Sequence, residues 1–245
     1  MQGFSILKQS LRLIFGNLPQ SLKLSSPLLI VLISAFAIYG PNYFLGEFNP
    51  NSPNALPPSA LILQLLTVVA GLWVAVAWHR FVLLEEFPAG VLPAFHGGLM
   101  LGYFGYGILL GILVGLATFA VGLLVGFALF WAPVLMTIGI IATMVWGFWI
   151  FYRLSPILPG QAIGNTMRFK EAWASTKPLS WAILGAMVVF VVSFVALAFV
   201  GGLVATLVPL IGGVVILALN WLYALVGVSF LTTLYGVAIE GRSID

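Results

Sequence analysis

The sequence predicts an all-α integral membrane protein with about six transmembrane helices. Hydrophobic residues make up 62% of the 245-residue chain and charged residues only 6%, whereas about 25% of the residues of a soluble domain are charged. A water-soluble fold of this length would need many more polar side chains to cover its surface. The apolar surface is therefore expected to face lipid.

Six apolar stretches are long enough to cross the hydrocarbon core, which takes about 20 helical residues. Their apolar residues are continuous rather than alternating, which is typical of helices and not of a membrane β-barrel. A loop rich in proline and asparagine at residues 46–59 separates the first two stretches. The predicted spans are Pro27–Phe44, Ala60–Leu84, Gly102–Phe130, Pro133–Tyr152, Leu179–Val208 and Leu210–Ala238.

The basic residues indicate how the protein is oriented. All nine fall on one side of a six-helix bundle, whereas the opposite side carries only Glu47. Basic residues accumulate on the cytoplasmic side of membrane proteins. We therefore expect a multi-pass protein of a bacterial-type inner (cytoplasmic) membrane, with both termini in the cytoplasm. The nine basic residues are Lys8, Arg12, Lys23, Arg80, Arg153, Arg168, Lys170, Lys177 and Arg242.

Each of three helical hairpins is expected to follow a cytoplasmic interfacial segment. In the first segment, an apolar face opposite Lys8 and Arg12 predicts an amphipathic helix among the lipid headgroups. That face consists of Phe4, Leu7, Leu11, Ile14, Phe15 and Leu18. The corresponding segments before the other hairpins are Glu85–Gly98 and Asn165–Lys177. The single transmembrane domain then divides into the interfacial helix at residues 1–26, hairpins at 27–84 and 85–152, and an interfacial segment with the third hairpin at 153–245.

Four basic side chains are candidate contacts for lipid headgroups: Arg153, Arg168, Lys170 and Lys177. Arg153 ends the fourth span, where the helix dipole and the lipid phosphates both favour a cation. Prolines follow it at positions 156 and 159 and cannot continue the helix, so the chain is expected to turn along the membrane. Membrane lipids are therefore expected partners, with purely structural anchoring as the alternative role of this segment.

Three short motifs lie close together in this region: Arg153-Leu-Ser-Pro-Ile-Leu-Pro159, Glu171-Ala-Trp-Ala-Ser-Thr176 and Trp181-Ala-Ile-Leu-Gly185. They resemble a pattern of bacterial YciC-like membrane proteins and of the membrane domain attached to some glycerophosphodiester phosphodiesterases. In those phosphodiesterases a separate soluble barrel domain, missing from this sequence, carries out the hydrolysis. The resemblance therefore implies a membrane domain without an enzymatic role.

One group of histidine and carboxylate residues could carry chemistry: His79, Glu85, Glu86 and His96. Their spacing matches no known zinc-ligand pattern. Adjacent carboxylates diverge by about 100° on a helix, so the two glutamates are not expected to share a proton. We interpret the histidines as structural residues at an interface and the glutamates as part of a solvated loop. The chain also contains no cysteine, and we expect no metal, no cofactor, no catalytic residue and no nucleic-acid partner.

Glycine and asparagine provide the remaining patterns in the spans. Five glycines of the third span are spaced so that they share a stripe about 100° wide on a helix, which lets another helix approach closely. Either a neighbour in the bundle or a partner protein is expected to use this candidate helix-association face: Gly107, Gly111, Gly115, Gly122 and Gly126. Asn220 in the sixth span is expected to hydrogen-bond a neighbouring helix, with a substrate contact as the alternative.

These patterns favour a non-enzymatic accessory or scaffold subunit that associates with other integral membrane proteins. Between their interfacial ends the predicted spans contain no Asp, Glu, Lys, Arg or His, which disfavours proton-coupled transport. A transporter or channel for a neutral or lipid-like substrate remains the alternative, because neutral pores and carbonyl-lined ion sites need no charged side chain. An intramembrane enzyme is disfavoured, since no nucleophile or paired histidine and aspartate is visible in the spans.

Overall fold

The computed structural model confirms the all-α architecture of a membrane protein. It describes residues 2–45 and 58–243, and over these ranges every regular element is helical. The α-helices are α1 (Gln2–Phe15), α2 (Leu18–Leu24), α3 (Ser26–Tyr39), α4 (Asn42–Leu45), α5 (Pro58–Leu84), α6 (Gly97–Leu129), α7 (Pro133–Leu154), α8 (Ile157–Ala162), α9 (Phe169–Ser175), α10 (Ser180–Leu207) and α11 (Pro209–Ala238), with a short 3₁₀ helix at Lys177–Leu179.

Five of the described helical segments are long and apolar enough to cross a membrane. They correspond to α5, α6, α7 continued by α8, α10 with the preceding 3₁₀ turn, and α11. Their bounds agree with the predicted spans to within a few residues, with two exceptions: α6 begins at Gly97 instead of Gly102, and the segment of α7 and α8 ends at Ala162 instead of Tyr152. Prolines at positions 133 and 209 begin α7 and α11, because proline fits the first turn of a helix, where its missing N–H leaves no bond unmade.

The first predicted span, Pro27–Phe44, is wrong in its bounds. Helix α3 covers only 14 residues, about 21 Å at 1.5 Å per residue, whereas the hydrocarbon core is about 30 Å thick. Gly40 ends it with φ of +71°, a conformation that glycine adopts without strain. Helices α2 and α3 meet at 68°, so a sixth span exists only if this bent pair crosses the membrane as one unit.

Helix α1 packs into the bundle through a face that differs from the predicted one. Its buried residues recur with helical periodicity against α10 and α11: Gly3, Ile6, Leu7, Ser10 and Ile14. A Cβ at Gly3 would collide with the backbone of Ala182 on α10. Of the predicted apolar face, only Leu7 and Ile14 are buried. Its other members form an exposed stripe: Phe4, Leu11, Phe15 and Leu18.

The two other predicted interfacial segments are irregular or short. Residues 85–96 contain no helix and fold back along α5. There the Trp73 indole donates a hydrogen bond to the Ala94 carbonyl at 3.1 Å, and the Ser26 hydroxyl donates to the Val91 carbonyl at 2.8 Å. The segment before the third hairpin contains only the seven-residue helix α9.

Packing is uneven along the length of the bundle. In α11 every residue of Ser229–Gly236 is buried, whereas most residues between 209 and 224 are exposed or half-buried. We call the tightly packed level the closed layer and define it by Ser10, His79, Tyr103 and Ser229–Gly236. The other part, residues 107–147 of α6 and α7 and 188–224 of α10 and α11, is called the open half.

Candidate functional site

The glycine stripe of α6 is left almost uncovered by the other described elements. A Cβ at Gly107, Gly111, Gly115 or Gly126 would have no neighbouring atom within 4 Å, and one at Gly122 would only reach the Thr143 methyl at 4.0 Å. A molecule outside the described residues could therefore approach the α6 backbone along this stripe.

Two glycines of α7, rather than the α6 stripe, allow α6 and α7 to meet. A Cβ at Gly147 would collide with the Thr118 side chain, and one at Gly139 would collide with Val125. The hydroxyl of Thr118 donates to the Val114 carbonyl of its own helix at 2.8 Å. Helices α6 and α7 therefore contact each other through close packing at these glycines. Because the Thr118 hydroxyl is already bonded within α6, it needs no ligand as a hydrogen-bond partner.

A lateral groove of about 770 Å³ lies beside this contact, between α6 and α7. Gly111, Gly115 and Gly122 line its α6 wall, and Ile140, Met144 and Phe148 line its α7 wall. The α6 wall runs roughly 16 Å along the helix, about half of the hydrocarbon thickness. Its glycines and apolar side chains suit a transmembrane helix or a lipid chain.

The histidine and carboxylate group of the sequence is divided between two places. His79 is 0% exposed inside the closed layer, whereas Glu86 and His96 lie on the segment between α5 and α6. His79 was expected to be a structural residue at an interface; it is instead buried among the helices, where its hydrogen bonds give it a structural role. Among the described residues, no three His, Asp or Glu side chains are grouped so that they could hold a metal ion.

Hydrogen bonds determine which nitrogen of His79 carries the proton. Thr232 donates its only hydroxyl proton to the Val228 carbonyl at 2.9 Å, so it must accept from His79 Nδ1 at 2.8 Å. His79 Nε2 is then free to accept from the Tyr103 hydroxyl at 3.3 Å. A neutral Nδ1–H ring thus satisfies both partners and joins α5, α6 and α11.

Glu86 connects two basic side chains on the segment that follows α5. One carboxylate oxygen accepts from Arg80 Nε at 2.7 Å, and the other lies 2.7 Å from His96 Nε2. Burial raises the pKa of Glu86, but hydrogen bonds from Arg80 and His96 and their charges outweigh it, so this pKa lies below its ordinary value. Glu86 is therefore a paired residue, whereas Glu85 is exposed, as predicted for a solvated loop.

The four candidate headgroup contacts occupy different environments. Arg153 is only 4% exposed, its guanidinium carbon lies 3.6 Å from the Trp173 ring centroid, and it donates to the Trp173 carbonyl at 2.6 Å. It therefore joins α7 to α9 inside the protein through a cation–π contact and a hydrogen bond. The other three side chains are exposed: Arg168, Lys170 and Lys177. Contact with lipid headgroups stays a prediction for these three.

A polar contact that the sequence did not indicate fastens α1 to α11. The Ser229 hydroxyl donates to the Ser10 carbonyl at 2.9 Å, and the hydroxyl oxygens of Ser10 and Thr233 lie 3.1 Å apart. Hydroxyl residues spaced four apart in an apolar helix are a common means of contact between membrane helices. The spacing of Ser229 and Thr233 could have indicated a partner, but not that the partner is α1.

No family model, curated protein or solved structure matches this chain. The feature of the described residues that most favours binding is the open, glycine-lined groove between α6 and α7.

Proposed function

We propose that the protein is a non-enzymatic accessory or scaffold subunit that receives a transmembrane helix of another integral membrane protein in the α6–α7 groove. The observation that carries this proposal is the open glycine stripe. In lipid, helices gain little hydrophobic energy by associating, so close backbone approach and van der Waals contact must drive association. Gly111 and Gly115 offer that approach with no described atom in the way.

The proposed setting is a bacterial-type inner membrane with the closed layer towards the cytoplasm and both termini on that side. The exposed basic residues Arg168, Lys170 and Lys177 support this orientation. The exposed stripe of α1 and the 84% exposed Trp181 would lie among lipid headgroups at the same level. Membership of the YciC-like group remains part of the proposal.

The function is tested by the double substitution Gly111→Leu and Gly115→Leu. Leucine is tolerated in lipid, and because nothing described lies within 4 Å of either position, thermal stability in detergent should not change. Copurification of the partner protein in mild detergent should fall strongly. The matched control is Gly98→Leu with Gly105→Leu, which changes two equally open glycines on another face of α6 and should keep the partner.

Other outcomes of this experiment would overturn the proposal. Loss of stability in the Gly111 and Gly115 variant would show that the stripe packs within the protein. Retention of all partners, or equal loss in the control, would remove the groove as the association site. A wild-type protein that copurifies only a lipid, lost in the double variant, would instead favour the alternative function in the handling of a lipid-like substrate.

The orientation is tested with single cysteines, since the chain has none of its own. Ser52→Cys should react with an impermeant maleimide added outside intact cells. Lys170→Cys should react only after the membrane is permeabilised. The reverse pattern would place the closed layer outside the cytoplasm, and labelling of both sites from outside would contradict the topology.

A further inference from the structure

Asn220 is an exposed polar residue near the middle of α11. It stands 11 residues, roughly 16 Å, from the first residue of that helix, Pro209. The sequence predicted a hydrogen bond to a neighbouring helix. Instead, Asn220 Nδ2 donates to the Ile216 carbonyl of its own helix at 2.9 Å. The expected contact between helices is therefore absent from the described part of the bundle.

The Asn220 carboxamide retains hydrogen-bonding capacity towards the lipid. A carboxamide has two N–H donors and one carbonyl acceptor, and the Ile216 carbonyl uses only one donor. No other hydrogen bond of this side chain is formed within residues 2–45 and 58–243. At mid-membrane depth an unpaired N–H and C=O are costly, because lipid chains offer them no partner.

We propose that α11 forms a symmetric homodimer in which the two Asn220 carboxamides pair. Two copies inserted in the same orientation carry Asn220 at the same depth. A two-fold axis along the membrane normal therefore brings the same patch of both chains together. A carboxamide is self-complementary, since the free N–H of each copy faces the carbonyl of the other. A different protein would need its own polar group at this depth.

The surface around Asn220 permits the close approach that such a pair requires. Asn220, Ala224 and Gly227 are spaced four and three residues apart, so they share one face of α11. Ala224 is exposed, and a Cβ at Gly227 would have no described neighbour within 4 Å. Small residues on such a face let two helix backbones approach. A cavity of about 360 Å³ lined by Asn220 and Gly202 lies beside it, with room for a side chain of the second copy.

The dimer is tested by disulfide cross-linking in membranes that contain the full-length protein. Ala224→Cys keeps Asn220 and should give a cross-linked species of twice the monomer mass. Adding Asn220→Leu should reduce the cross-linked fraction at limiting protein density about tenfold, given the usual strength of hydrogen bonds between membrane helices. Adding Asn220→Gln, which retains the carboxamide, should preserve most of it. Leu116→Cys on α6, an exposed position remote in sequence, should not cross-link.

Three results would overturn the dimer. One is a chain that stays monomeric in membranes at every protein density, with no cross-link through Ala224→Cys. Another is a cross-link that Asn220→Leu leaves unchanged, because the carboxamide would then not hold the copies together. The third is cross-linking of Ala224→Cys to a protein of different mass. The variant with Gly111→Leu and Gly115→Leu should still dimerise, so failure of the α6–α7 groove proposal is distinguishable from failure of this one.

Discussion

The closed layer and the open half of the bundle use their polar side chains in opposite ways. In the closed layer, hydroxyl and imidazole groups join different helices, as in the contacts of Ser229 with Ser10 and of His79 with Thr232. In the open half, Trp221 of α11 reaches outside its helix and donates to the Ser25 hydroxyl at 2.8 Å, but five polar side chains bond only to the carbonyl three or four residues earlier in the same helix. These side chains are Thr118, Thr137, Thr143, Thr206 and Asn220.

This difference shows that a small or polar residue in a membrane helix does not by itself indicate packing within the chain. Gly3, on the α1 face that also carries Ser10 of the closed layer, and Gly126 in the open half are both helical glycines, yet only Gly3 has another helix against it. Helices also meet in the open half, at Gly139 and Gly147, but only that half has a glycine stripe, a lateral groove and an amide that the described chain leaves uncovered. We therefore assign stability to the first region and association to the second.

The two regions should respond differently to the same glycine-to-leucine substitution. Gly3→Leu should lower the free energy of unfolding by about 3 kcal/mol, because the added side chain collides with the backbone of Ala182 on α10. Gly126→Leu should change it by less than about 0.5 kcal/mol. Thermal or denaturant unfolding in detergent measures both. Equal effects at the two positions would show that the open half is packed as tightly as the closed layer.

A smaller loss is expected from the hydrogen bonds that join helices in the closed layer. Thr232→Val keeps the side-chain shape but leaves the Nδ1–H of His79 without its acceptor, which should cost about 2 kcal/mol. The double variant with His79→Leu should lose less than the sum of the two single changes, since it removes both partners. Strict additivity in unfolding measurements would mean that these side chains do not interact.

The smallest effect on stability is expected from substituting Glu86. This residue lies on the segment that follows α5 and pairs with Arg80. Its pKa is lower in the folded protein than the ordinary glutamate value of 4.5. The contribution to stability is therefore present above the unfolded pKa and is lost as pH falls through the folded one. Because the Glu86 and Arg80 side chains are partly exposed, the loss of stability should stay below about 1 kcal/mol. Melting temperatures of wild type and Glu86→Gln should differ at pH 6 and converge as the pH falls below the folded pKa of Glu86. A gap independent of pH would contradict the ion pair.

Sequence patterns predicted the long helices because lipid exposure requires continuous apolar stretches, and α5, α7, α10 and α11 begin and end close to the expected residues. The patterns failed for α3 because the apolar stretch continues through Gly40, whereas the positive φ of Gly40 ends the helix. They also could not assign His79, since periodicity does not show that Thr232, 153 residues away, accepts its hydrogen bond. The glycine stripe was visible in the sequence, but whether a neighbour fills it depends on tertiary packing.

The attachment of α1 to α11 has a consequence for the order of assembly. Ser10 leaves the ribosome 219 residues before its partner Ser229. While those residues are being made, α1 lacks the helix that holds it. The exposed stripe containing Phe4, Leu11 and Phe15 is the apolar surface that it can lay on the bilayer during that interval. The closed layer is completed only when the hairpin of α10 and α11 has been inserted, so α1 is made long before it reaches its native contacts.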